Sequence, residues 1–253
     1  MLIKNLVVIL IAVSQWLPVM ANAGEVRIAV AANFRSTLNE IVRHFEEDSG
    51  HKTLVSSGSS GKLYVQIKNG APFDVFLSAD AQRPAVLEDE GFAVPHSRFT
   101  YAVGRLTLWS ANPDLIKGDG KAVLAKGGFN RLAIANPKTA PYGLAAKTTL
   151  QAMGLWNQLK GRLVQGENIG QVFQFVYSSN AQLGFVALAQ VLDPKINGMG
   201  SRWDVPESFH DALGQQAVLL TRGKSNIAAI EFVHYLKSPK AQALIEQLGY
   251  GVE

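Results

Sequence analysis

The residues best suited to chemistry stand together in Gly58-Ser59-Ser60-Gly61-Lys62, between an apolar run and a helix-like run. Small hydroxyls between glycines, followed by lysine, fit three roles: a nucleotide loop, a serine nucleophile, or an anion grip that does no chemistry. A P-loop needs four residues between its first glycine and the Gly-Lys pair, then Ser or Thr to hold magnesium. Here two residues separate Gly58 from Gly61-Lys62, and Leu63 follows. Ser59 and Lys62 also fit the S-x-x-K of serine acylases, but that site needs an S-D-N and a K-T-G, and the chain has neither. A secreted serine hydrolase using Ser59 or Ser60 stays as the alternative in a different class. An anion grip needs further donors, so the other elements matter.

Those elements alternate. GEVRIAVAA reads as a strand, and Phe34, Leu38, Ile41, Val42 and Phe45 then recur on one face of a helix running from about Phe34 to Asp48 and stopped by Gly50. KTLVSS is a second strand, with its helix stopped at Gly70; FDVFLS is a third, with a helix from Ala81 to Asp89. FTYAVGRLTLWS is long, β-rich and interrupted by Gly104. RLAIANP and RLVQGEN each feed a helix, the first from Gly143 to Met153, the second from Ile169 to Ser178. LGFVALAQV reads as one apolar strand of a covered parallel sheet, and QQAVLLT as a last strand before two closing helices. Strands alternating with helices predict an α/β fold with mostly parallel sheets, whose ligands sit where strands end and helices begin.

Four such junctions bear on an anion: AANF (31–34), GSSG (58–61), APYG (140–143) and ENIGQ (167–171). Asn33, Ser59 and Asn168 are N-cap types, and Asn168 with Gln171 forms a variant of the capping box. Each helix start offers free N–H groups and the positive end of a dipole, so four around one cleft suffice for an oxyanion without lysine or arginine. Monohydrogen phosphate needs an acceptor for its proton, whereas a fully ionised tetraoxyanion needs donors alone. Glu167 is the sole carboxylate at the four junctions. The pattern predicts a site for a dianion without a proton.

Composition narrows the class. Residues 1–23 carry one cation, Lys4, then an apolar run from Leu6 to Met20 and a small-x-small end at Ala21-Asn22-Ala23, the pattern of a signal peptide cut after Ala23. The run is short for a membrane span, so no membrane insertion is expected after cleavage and a periplasmic location is. The formal net charge is +4, without a cluster of Lys and Arg, which argues against nucleic acid. Cysteine is absent, excluding disulfides and thiolate metal sites. The histidines at 44, 51, 96, 210 and 234 lack metal-ligand spacing, so no metal is expected by direct coordination. Asp80 reads as the cap of the helix at Ala81, not as half of a carboxylate pair with Asp74. Arg35, Lys62 and Lys138 read as solvated charges flanking the site.

VAANF, SSGSSGKLYVQI, GAPFDVFLSAD, GFAVPHSRFTYAVG, ANPKTAPYG, GENIGQ and LGFVALAQV together resemble the periplasmic molybdate-binding proteins of ABC-type importers, over nearly all of the chain beyond the leader. The resemblance implies the two-lobed class II binding-protein fold: a first lobe from 24–103 and 215–253, a second from 104–214. It implies a non-enzymatic, monomeric receptor for molybdate and tungstate without a cofactor, delivering its ligand to an ABC permease; a receptor for another tetrahedral oxyanion such as sulfate is the alternative in the same class. Carried over position by position, the ligand contacts fall on Asn33, Ser60, Tyr142 and Ile169, with Asn33 and Ser60 giving side-chain and backbone donors. Two departures stand out. Ala32 replaces a hydroxyl residue, leaving its backbone N–H and implying weaker binding or altered selectivity. Phe209 and Ala212 replace tyrosine and proline near the edge of the second lobe.

Overall fold

The computed structural model describes residues 23–252; the leader expected over 1–23 lies, but for Ala23, outside the described residues. The chain begins in one sheet. Strand β1 (Glu25–Ala31) leads through a 3-10 turn to α1 (Arg35–Ser49), which buries Leu38, Ile41 and Phe45 and ends at Gly50, whose φ of 74° suits glycine. Strand β2 (Lys52–Gly58), α2 (Ser60–Lys68), β3 (Val75–Ser78), α3 (Gln82–Asp89) and β4 (Phe99–Gly104) follow. The middle of the chain builds a second sheet from β5 (Leu106–Ser110), α4 (Gly120–Lys126), β6 (Leu132–Ala135), α5 (Pro141–Ala152), α6 (Trp156–Leu159), β7 (Leu163–Gly166), α7 (Ile169–Tyr177), β8 (Leu183–Ala187), α8 (Leu188–Val191) and β9 (Ser201–Asp204). Strand β10 (Leu213–Leu219) then returns to the first sheet, and α9 (Ile227–Leu236) and α10 (Pro239–Gln247) close the chain.

The sheet orders are β2-β1-β3-β10-β4 and β7-β6-β8-β5-β9. Each sets three parallel strands beside an antiparallel pair. In the first sheet Ile28, paired with both Val55 and Val75, is wholly buried with Val26 and Val30, as a central strand covered on both faces requires. Phe34 packs edge-on against Tyr101 and Tyr250, ring centroids 4.7 and 5.2 Å away. In the second, Trp109 stacks on Phe173 at 5.2 Å.

FTYAVGRLTLWS is interrupted at Gly104 as the sequence suggested: β4 and β5 lie in different sheets with Arg105 alone between them. Several expectations need correction. The apolar run LGFVALAQV ends as a strand at Ala187 and turns helical, since an unbroken apolar run cannot separate buried strand from buried helix. Its strand is parallel to β6 but antiparallel to β5. Asn33 does not cap α1, because it sits inside the preceding 3-10 turn with its side chain turned to the core. Ser59 holds the N-cap position of α2 without a side-chain cap bond, and Asn168 does cap, accepting from Gln171 N. The helix after Asp80 starts at Gln82, and Asp80 accepts the Arg83 N–H at 3.0 Å.

Candidate functional site

The four junctions converge. Asn33, Ser60, Tyr142 and Ile169 line one small pocket together with Ala32, Ser59, Asn168 and the chain at Ala79. Asn33 arrives from β1, Ser60 from β2, Tyr142 from the loop after β6 and Asn168 and Ile169 from the end of β7. Two of the four junctions come from each sheet. No residue lining the space carries a charge.

The donors follow from local structure. Ser60, Tyr142 and Ile169 stand in the first turns of α2, α5 and α7, where N–H groups have no partner inside the helix. Pro141 at the first position of α5 presets its backbone and removes one such N–H, so Tyr142 N is the next donor in line. The Ser60 hydroxyl accepts the Ala79 N–H at 2.9 Å, which leaves its own hydrogen free. The Ser59 hydroxyl is buried without a protein partner. Burial without a bond is costly unless something else completes it.

Asn33 departs from expectation. Its amide nitrogen donates to Gln215 Oε1 at 2.7 Å and to the Tyr250 hydroxyl at 3.2 Å, so both side-chain hydrogens are committed inside the protein. The backbone N–H is what Asn33 has left to offer. Gln215, Tyr250 and Tyr101 were not singled out in the sequence. The sequence signal for Gln215 was a glutamine pair inside the otherwise apolar strand LGQQAVL, and one of the pair had to face the core. Burial pushes the Tyr142 phenol well above its ordinary range, with the neighbouring Tyr250 adding to the effect, so it remains a donor.

Cations frame the space without entering it. Lys62 forms an ion pair with Glu167, from opposite sheets, and Arg83 pairs with Asp80. Arg35 and Lys138 are exposed, as expected. Phe209 packs near Trp203, centroids 6.5 Å apart, and neither Phe209 nor Ala212 lines the space. The described residues hold no group of three or more His, Asp or Glu placed for a metal. Among the described residues neither the Ser59 nor the Ser60 hydroxyl is hydrogen-bonded to a base.

The two sheets are clasped across the space. Gly61 N donates to Thr139 O at 2.8 Å, Ser36 Oγ to Asp193 Oδ2 at 2.7 Å, and Gln215 Nε2 to the Tyr142 hydroxyl at 3.3 Å. Two like sheets closed over one small uncharged pocket make this a ligand receptor of the periplasmic binding-protein fold. A solved periplasmic molybdate-binding protein of Azotobacter vinelandii superposes with a TM-score of 0.87 at 43% identity, covering 90% of this chain and 99% of that one. The chain belongs to the bacterial extracellular solute-binding proteins, whose family profile matches residues 26–251. It is 53% identical to the molybdate-binding protein ModA of Azotobacter vinelandii over 92% of both chains, and 44% identical to that of Rhodobacter capsulatus over 96% of this chain and 94% of the relative. The family is one of receptors, not enzymes.

Proposed function

We propose that the protein is a periplasmic receptor for molybdate, and for tungstate, held at the junctions between the two sheets and handed on to an ABC permease. The observation that carries this reading is the uncharged lining: four strand-to-helix turns present N–H and O–H donors, with no carboxylate to take a proton from the ligand. The similarity to molybdate-binding proteins over more than nine-tenths of the chain supports the choice among oxyanions. In this reading Asn33, Ser60, Tyr142 and Ile169 contact the ligand, with the backbone of Ala32 beside them. The lobes are 24–103 with 215–253, and 104–214, and they part to admit the anion as a monomer. Donors fixed on rigid helix starts suit one size of tetrahedron. A smaller one such as sulfate leaves some unpaired, at about 1–3 kcal/mol each.

Titration calorimetry of the protein lacking the leader tests this, with molybdate, tungstate, sulfate and phosphate in parallel. Saturating one-to-one heat is expected from the first two and none from the last two. Equal heat from sulfate would shift the reading to a general tetrahedral-oxyanion receptor, and no heat from any of the four would end it.

A further inference from the structure

The direction of one chain of hydrogen bonds is fixed by a group that cannot reverse. The backbone carbonyl of Asn33 accepts the Tyr250 hydroxyl hydrogen at 2.8 Å. With its single hydrogen used, the Tyr250 oxygen can only accept from the Asn33 side chain, so Asn33 must present its NH₂ there, not its carbonyl. The other hydrogen of that NH₂ points at Gln215, so Gln215 must present its carbonyl oxygen, which Tyr101 also reaches at 3.0 Å. The NH₂ of Gln215 is thereby turned to the Tyr142 hydroxyl. The Tyr142 oxygen accepts that bond, and its own hydrogen has no acceptor among the hydrogen bonds of the described residues. Each amide orientation in the relay follows from the one before.

We infer that Gln215 is a positioning residue for oxyanion selectivity: it makes Tyr142 a donor toward the pocket. The assignment rests on the proposed role of Tyr142 as a ligand contact. The backbone is built to hold Gln215 in place. Successive residues Gln215 and Gln216 pair with Ala102 and Thr100, so Tyr101 is an extra residue in β4, a β-bulge. The bulge puts Tyr101 beside Ala102 on the face of Gln215, where all three are essentially wholly buried, while Gln216 and Thr100 bond each other on the half-buried face. Gln215 does not line the pocket itself. It acts through Tyr142, and a tetraoxyanion without a proton is the ligand class that donor serves.

Two substitutions test the relay. In Gln215→Glu the ionised carboxylate can only accept, so it draws the Tyr142 hydrogen inward and away from the ligand. Molybdate binding near pH 8 is expected to weaken by about tenfold or more, and to recover toward pH 6 as the buried carboxyl, its pKa raised by desolvation, takes a proton and becomes a donor again. The titratable groups around position 215 are the phenols of Tyr101 and Tyr142, with Tyr250 one bond further; these stay protonated over that range, so the unmodified protein should show no such recovery. Gln215→Met removes the amide without reversing it, and a pH-independent weakening of about threefold to tenfold is expected. Should Gln215→Glu not fold, unchanged binding by Gln215→Met overturns the inference alone. Equal, pH-independent losses in both variants also overturn it, because a structural role would do the same. Tyr142→Phe separates the two readings. If it binds molybdate as the parent does, the hydroxyl is no ligand contact and the relay falls with it; if it weakens while both Gln215 variants bind normally, only the relay falls.

Discussion

The N–H of Gly61, in the first turn of α2, donates to the carbonyl of Thr139, ahead of α5, and this 2.8 Å bond ties one sheet to the other at the rim of the pocket. The bond is possible because Gly61 has no side chain: a Cβ there would stand 2.9 Å from both the Thr139 Cα and its carbonyl oxygen. Overpacking of this kind costs about 1–3 kcal/mol where neighbours are rigid. Because the two shortest contacts reach across to the other sheet, and the third is the flexible end of Arg83 at 3.2 Å, Gly61→Ala should weaken molybdate binding by that amount and leave the ligand-free melting temperature nearly unchanged. Calorimetry beside a thermal melt separates the two. A lowered melting temperature with intact affinity would contradict this account of Gly61.

Lys62 and Glu167 also join the sheets, but both side chains are more than half exposed. Exposed pairs contribute about 0.2–1 kcal/mol and fade with salt. Lys62→Met should therefore weaken binding less than Gly61→Ala does, and the difference from the parent protein should shrink in high salt. Titrations at low and high ionic strength check both points; a loss that persists in high salt would point to direct contact between Lys62 and the ligand.

Tyr142→Phe removes one neutral hydrogen bond and should weaken molybdate binding by about 0.5–1.5 kcal/mol. Gly104 is part of the same arrangement, since a Cβ on it would stand 2.6 Å from Gln215 Nε2 and overlap the Tyr142 hydroxyl. Gly104→Ala should displace the phenol and reduce affinity by at least as much. Parallel titrations of the two variants decide whether the hydroxyl acts through its position.

Ala32 leaves room for a gain. It stands at the pocket edge, half-buried, with Gly170 of the other sheet close to its Cβ. Ala32→Ser adds one hydroxyl donor and should tighten molybdate binding by about 0.5–1.5 kcal/mol. A titration showing unchanged or weaker affinity would mean that the site has no lone pair to offer there.

Alkali should unfold the protein through its phenols. Burial raises the Tyr101 and Tyr142 phenols well above their ordinary pKa of about 10, and raises Tyr250 as well. The folded chain holds these protons longer than the unfolded chain does, so their contribution is complete below about pH 10 and is lost as pH rises beyond it, at up to about 1.4 kcal/mol per pH unit for each phenol. Denaturant midpoints from pH 8 to pH 11 should be flat at first and then fall, and Tyr101→Phe should make the fall shallower.

Much of this molecule could be read from residues that act locally. Gly50, Gly91 and Gly154 stop helices with φ of 74°, 79° and 76°, values that leave little choice of residue, and the helix starts around the pocket carry their donors in the backbone whatever the side chain. The relay through Gln215 could not be read in the same way. Asn33 and Gln215 are 182 positions apart and Asn33 and Tyr250 217, and no rule of spacing connects them. The turn to helix at Leu188 was hidden because burial on every side erases both periods at once. Asn33 showed the opposite hazard, since a residue type suited to capping was taken by the core.

Arg105 stands alone between β4 of one sheet and β5 of the other. A trans chain advances at most about 3.6 Å per residue, so Gly104 and Leu106 can never be more than about 7 Å apart. The halves of the molecule therefore share a fixed pivot at this corner, and sliding or wholesale detachment is denied to them. The second crossing, between β9 and β10, is longer, so of the two connections the one through Arg105 leaves the sheets less room to part.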